Sequence, residues 1–198
     1  MSLPEPYRIE RMDVDSLFLL IKPLQNTIFQ TNLRVPVYQF LSSIELDKLK
    51  KLQENMGSPF RINLGLFCGQ ELVGWSYGWQ ENRETYYMTN SAVVPEHPRK
   101  GLYSALLNKT LQIAREEGFQ IIYSRHTATN NAVIIPKLKA GFLISSMEIS
   151  DPFGTLVILR YYCNPKRRAL MDFRCGEDQP TSEVKKLLNL MDLDSKGT

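Results

Sequence analysis

The stretch that most constrains this chain lies between Thr85 and Phe142, where a strand pattern twice passes through a turn into a helical pattern. T-Y-Y-M-T-N-S-A-V-V-P is followed by E-H-P-R-K-G and a helix from about Gly101 to Glu117. Q-I-I-Y-S-R-H is then followed by T-A-T-N and the helix N-A-V-I-I-P-K-L-K-A, which ends at Gly141. Two successive strand–loop–helix units require neighbouring parallel strands with helices packed on the sheet.

The flanks are antiparallel in character. R-I-N-L-G-L-F-C and E-L-V-G-W-S-Y-G-W-Q read as strands joined by a Gly-Gln turn, and F-L-I-S-S-M-E-I and T-L-V-I-L-R-Y-Y-C as two closing strands. A short strand is expected at Tyr7–Arg11. Helices are expected from Asp13 or Asp15, broken or kinked by Pro23, and over the segment from Ser42 to the stop at Gly57. The fold class is therefore α/β, with a mixed, mainly antiparallel sheet around a central parallel strand pair.

The strand pattern stops near Cys163 and a turn-like N-P-K-R-R block begins at Asn164. Residues 1–163 are read as one domain and 164–198 as an extension with a short helix in S-E-V-K-K-L-L-N-L-M. That helix either packs on the domain or mediates a homodimer.

An apolar fraction of 43% and 23% charged residues describe an ordinary globular chain, and a net charge of +3 is too small and scattered to argue for nucleic acid. Cys68, Cys163 and Cys175 form no close pair and no metal-ligand spacing, so no metal site is expected and a reducing, cytoplasmic compartment is. The start carries no apolar signal segment and no run of 18 apolar residues occurs, so neither secretion nor a membrane span is expected.

P-E-H-P-R-K-G-L-Y-S-A-L-L places Arg99, Lys100 and Gly101 directly before a helix. Unpaired amides and the helix dipole favour an anion there, Gly101 lets it approach the backbone, and Ser104 offers a hydroxyl. The same residues also suit an ordinary solvated turn. The loop has neither a G-K-S/T ending nor a G-x-G-x-x-G run. In the second unit Asn130 or Thr129 is placed to cap the helix. Parallel strands that splay at their C-terminal ends form a cleft where α/β sheets take ligands.

Together, V-V-P-E-H-P-R-K-G-L-Y-S-A-L-L and N-N-A-V-I-I-P-K-L-K-A-G-F resemble the GNAT superfamily of N-acetyltransferases over roughly residues 60–162. The resemblance implies a GNAT-like acyl-CoA N-acyltransferase fold with a splayed parallel pair, and acetyl-CoA as co-substrate. It implies transfer of an acetyl group to a primary amine of a small molecule or peptide, by direct transfer in a ternary complex. It places Arg99, Lys100, Gly101, Leu102, Tyr103 and Ser104 at the pyrophosphate. Val93 and Val94 fall beside the pantetheine, with an amide aimed at the thioester carbonyl, and Asn130 stands beside the pantetheine arm. The loop departs from the family pattern R/Q-x-x-G-x-G/A at Pro98 and Tyr103.

The catalytic groups are less plain. The family's strand glutamate is replaced by Asn90. Glu81 and Glu84, in the preceding turn, and His126, with an ordinary pKa of about 6.5, are the candidate bases. Lys137 stands where the family places a tyrosine that protonates the thiolate. Trp75, Tyr77 and Trp79 share one sheet face and serve either the core or an acceptor site. Loss of the strand carboxylate and the helix tyrosine also fits an alternative, a non-catalytic acyl-CoA-binding or protein-interaction domain.

Overall fold

The computed structural model describes residues 3–29, 35–97, 101–176 and 179–188. The chain divides into two units, Met1–Tyr161 and Tyr162–Thr198.

The first unit is built on a seven-stranded sheet: β1 (Tyr7–Arg11), β2 (Arg61–Cys68), β3 (Glu71–Gln80), β4 (Thr85–Val93), β5 (Ile121–Thr127), β6 (Leu143–Ser150) and β7 (Gly154–Tyr162). Their spatial order is β1-β2-β3-β4-β5-β7-β6. β1 to β4 pair antiparallel, as do β6 and β7, whereas β4 and β5 pair parallel.

The helices divide between the two faces. α1 (Val14–Ile28) buries Leu17 and Ile21, one turn apart, against Phe67, Leu72, Trp75, Tyr77 and Ala92. Each such side chain removed from water contributes about 1.5–3 kcal/mol. Asp13 caps α1 by accepting from the Ser16 amide. Of the break or kink expected at Pro23, the break does not occur, and α1 continues through it. The one backbone hydrogen bond lost is the one to the carbonyl of Leu19, a residue on the exposed face. α2 (Ser43–Asn55), entered through a short helical turn at Val37–Phe40, closes a capping box between Ser42 and Glu45 and buries none of its residues.

The other face carries α3 (Leu102–Glu116) and α4 (Asn131–Lys139). Leu106, Leu107, Thr110 and Ala114 of α3 are buried there, and the Thr110 hydroxyl meets Ser76 of β3 at 3.2 Å. No helix among the described residues is long and apolar enough to cross a membrane.

In the second unit the N-P-K-R-R block is helical and not a turn. Asn164 accepts from the Lys166 and Arg167 amides, and Pro165 takes the first position of α5 (Pro165–Arg174), where its missing N–H costs nothing. α6 (Ser182–Leu187) is capped by Thr181, and Lys166 pairs with Glu183 at 2.8 Å.

Candidate active site

The parallel pair opens after three residues. Thr85, Tyr86 and Tyr87 face Ile121, Ile122 and Tyr123, and no pairing follows although β4 runs on to Val93 and β5 to Thr127. The opening coincides with a bulge. Across β3, Gly78 pairs with Met88 and Tyr77 with Asn90, which leaves Thr89 as the extra residue. Gly78 is required there, because a Cβ would lie 2.1 Å from the Tyr87 carbonyl oxygen. The bulge bends β4, and the two strands leave a fork open at their C-terminal ends.

The backbone lining the fork is specific about its donors. The Val94 amide donates to Val73 at 2.9 Å and is engaged within the sheet. Strand alternation then turns the Val93 amide the other way, toward the open side. Of the two adjacent valines the sequence offered, only Val93 has an amide facing the fork.

At the start of α3, Gly101 adopts φ +70, a left-handed conformation that other residues resist. A Cβ there would meet nothing within 4 Å among the described residues. The first helical bond runs from the Ala105 amide to Gly101, so the amides of Leu102, Tyr103 and Ser104 precede the ladder. Among the described residues no side chain caps them, and no acid lies in the first turn. The Leu102 side chain is in the core and leaves only its backbone for a ligand. The Tyr103 hydroxyl is buried without a hydrogen-bond partner among the described residues. Arg99, Lys100 and Pro98 lie outside the described residues. Asn130 holds the N-cap position of α4 but its side chain makes no capping bond. These features fit a CoA group: open strand amides for the pantetheine, and a glycine-led, uncapped helix start for its phosphates.

On the α3–α4 side of the fork, Lys137 is 1% exposed. Its Nζ donates to the Ser124 Oγ at 2.7 Å, lies 3.9 Å from the Met88 sulfur and 5.3 Å from the centre of the Phe142 ring. No carboxylate pairs with it among the described residues, and burial pushes its pKa from 10.5 down to about 7. His126 Nε2 meets the same hydroxyl at 2.9 Å. Burial, and after it the charge on Lys137, pushes His126 far below its ordinary range. The imidazole is therefore neutral and a weak base, contrary to the role its unperturbed pKa suggests. Ser124, the first β5 residue past the last pair, had no signal in the sequence.

The opposite side of the fork is aromatic and charged. Tyr87 and Tyr123 stack at 4.8 Å, and Trp79 meets Tyr87 edge-on at 5.3 Å. Thus Trp75 and Tyr77 serve the core, and Trp79 packs on Tyr87 at the last paired position. Arg125 donates to the Tyr87 hydroxyl at 3.1 Å and to Glu148 at 3.1 Å. The Tyr123 hydroxyl donates to Glu81. Burial, and secondarily that carboxylate, raise the Tyr123 pKa and keep the phenol protonated. Both glutamates of the turn have their backbone at the closed end: the Glu84 carbonyl accepts from Gln120 and Ile121 and the Glu81 amide donates to Thr85, about 25 Å of strand away from Val93. Asn90 accepts from the Trp75 indole at 2.6 Å, a structural use of the position where the family carries a base.

A mixed sheet opened at one parallel pair, with a glycine-led helix start at the opening, is the architecture of acyl-CoA acetyltransferases. The chain belongs to the acetyltransferase (GNAT) family, whose model matches residues 29–142. Solved structures share the fold. A GNAT-family acetyltransferase from Streptococcus pneumoniae aligns with a TM-score of 0.57 and 17% identity over 79% of this chain and 99% of its own. Ard1 from Thermoplasma volcanium aligns at 0.56 and 18%, over 79% and 97%. The yncA protein of Salmonella typhimurium, solved with its cofactor acetyl-CoA, aligns at 0.59 and 15%, over 81% and 95%. No curated protein matches the sequence significantly.

Proposed function

We propose that the protein transfers an acetyl group from acetyl-CoA to a primary amine of a small molecule or peptide, with both reactants in the fork at once. The observation that carries this reading is the buried Lys137 amine inside a fork whose walls fit a CoA chain. The structure of yncA with acetyl-CoA in the same fold supports the choice of donor.

Acetyl-CoA, when bound, supplies a thioester carbonyl as electrophile and a thiolate as leaving group. The chain supplies the rest. Glu81, bonded to Tyr123 at the last paired position, takes a proton from the incoming ammonium through water so that the nitrogen lone pair can attack. The Val93 amide donates to the oxygen on which negative charge develops. Lys137, held by Ser124, gives a proton to the departing sulfur, and His126 supports that hydroxyl as a neutral partner. Holding the amine and the carbonyl carbon in one fork supplies much of the remaining rate.

One observation favours the second reading, a CoA-binding domain without catalysis: Asn90 is committed to Trp75 and cannot act as a base. Calorimetric titration with acetyl-CoA and desulfo-CoA, against ATP, followed by thiol-release assays over an amine panel, separates the two. Saturable CoA binding with amine-dependent thiol release supports the transferase. CoA binding without release supports the second reading, and no CoA binding overturns both.

A further inference from the structure

We propose that Ser124 and His126 form the path by which the buried Lys137 amine exchanges protons with solvent, so that His126 recharges the proton donor between turnovers. This rests on the transferase reading, in which Lys137 loses a proton to sulfur in each cycle. It assigns Ser124 and His126 as residues that act through Lys137 and not on the substrate.

Lys137 is 1% exposed and Ser124 0%, so the amine needs a route to water. Among the described residues three groups surround it: the Ser124 Oγ at 2.7 Å, the Met88 sulfur at 3.9 Å and the Phe142 ring, 5.3 Å to its centre. Of these only the hydroxyl can both donate and accept a proton. A thioether is a weak acceptor, and the ring has no exchangeable hydrogen. The route therefore leaves the amine through Ser124. Its next atom is His126 Nε2, 2.9 Å from the same oxygen. His126 stands two residues further along β5, on the same face of the strand, and is partly exposed. Two hydrogen bonds thus lead from a sealed amine to an imidazole at the edge of solvent. An imidazole, like a hydroxyl, can take a proton at one atom and release one at another.

The proton count closes. While Lys137 is an ammonium it donates to the Ser124 oxygen, and the Ser124 hydroxyl donates to the lone pair on Nε2. Once the amine has given a proton to sulfur, its nitrogen carries a lone pair and the Ser124 hydroxyl donates to it instead. The imidazole, re-equilibrated with solvent, then takes the Nε2–H tautomer and donates to Ser124. Recharging runs inward from there. Solvent adds a proton at Nδ1, the Nε2 proton passes to the Ser124 oxygen, and the Ser124 proton passes to the Lys137 nitrogen. One proton enters and one arrives, and the ring is left neutral with a lone pair on Nε2, as at the start. Burial, and after it the charge on Lys137, keep the imidazole neutral at rest. The second cause lapses while Lys137 is neutral, so the ring accepts a proton most readily when the amine lacks one.

The test follows the Lys137 ammonium protons directly, by heteronuclear NMR of their exchange with water, assigned by comparison with Lys137→Met. Thiol release over an amine panel and desulfo-CoA calorimetry are run on the same full-length preparations. His126→Gln separates a relay from a structural bond, because the amide keeps a hydrogen bond to Ser124 but cannot pass a proton through itself. Its melting temperature and desulfo-CoA affinity should stay near the parent's, with Lys137 exchange and kcat each at least tenfold lower. In His126→Gly both rates should fall likewise and be restored by added imidazole, which leaves the parent unchanged. Exchange at the parent rate in folded His126→Gln, or a folded His126→Gly that imidazole does not rescue, would overturn the proposal. Transfer by the parent would in that case keep the transferase reading. Slowed exchange in the variants with no transfer by the parent to any amine would overturn the transferase reading and leave the proton path standing.

Discussion

The Lys137 ammonium and the Ser124 hydroxyl, 2.7 Å apart, are both sealed from solvent in a fork that contains no carboxylate paired to either among the described residues. A buried cation held by a neutral hydroxyl and an aromatic face is a costly arrangement that a stability-driven core would replace with an apolar side chain. On the proposed transferase reading, protonation of the leaving thiolate gives that cost a use.

Lys137→Met tests that cost. Methionine has a similar reach and no charge, so the melting temperature at pH 7 is expected to equal or exceed that of the parent. Thiol release should fall by about 10²–10⁴, the usual range for loss of a positioned acid, with desulfo-CoA affinity within a few-fold. A sharp fall in melting temperature would mark Lys137 as structural.

The pH dependence has a defined sign. Between about 7 and 10.5 the unfolded chain binds more protons at Lys137 than the native protein does, so stability rises with pH through that window. The gain should be of order 2–5 kcal/mol and absent from Lys137→Met. Catalysis runs the other way, because the acid must carry its proton, and kcat should fall above about pH 7. Denaturant melts and initial rates across pH 6 to 10 check both slopes; a flat kcat would remove Lys137 as the proton donor.

Gly101→Ala separates backbone strain from ligand clearance. The left-handed conformation at φ +70 costs a non-glycine residue about 1–2 kcal/mol, a few degrees of melting temperature. The added Cβ meets no atom of the described residues within 4 Å. Desulfo-CoA affinity is nonetheless expected to drop at least tenfold by calorimetry. Unchanged affinity in the folded variant would place the phosphates elsewhere.

Tyr103→Phe removes a buried hydroxyl that has no partner among the described residues. An unsatisfied polar group of this kind costs about 1–3 kcal/mol, so the unliganded variant should melt higher than the parent. If Tyr103 stands at the pyrophosphate as the family resemblance implies, the melting temperature should then rise less on adding desulfo-CoA. A lower unliganded melting temperature would contradict this account.

The chemistry near the fork was unevenly legible. Lys137 could be found by its spacing before Gly141, but its depressed pKa depends on Ser124 of β5, Met88 of β4 and Phe142 of the turn after α4 closing over it. Glu81 and Glu84 look alike in the sequence and both lie in the turn at the closed end, and the bond from the Tyr123 hydroxyl to the Glu81 carboxylate is visible in the tertiary structure alone. Asn164-Pro165 fits a turn or a helix start equally well locally, and the structure chose the helix.

What the sequence determined by itself is whatever short-range periodicity and steric punctuation encode. The two strand–loop–helix units, the outer hairpins, the glycine at the start of α3 and the capped start of α1 all follow from neighbours a few residues apart. Only the tertiary structure decided where the strand pair opens, which valine amide faces the opening, and which charges are buried or left free. Those outcomes depend on a bulge registered across β3, on strand alternation read against a partner, and on dielectric surroundings supplied by residues up to about fifty positions away, as with Met88 and Lys137.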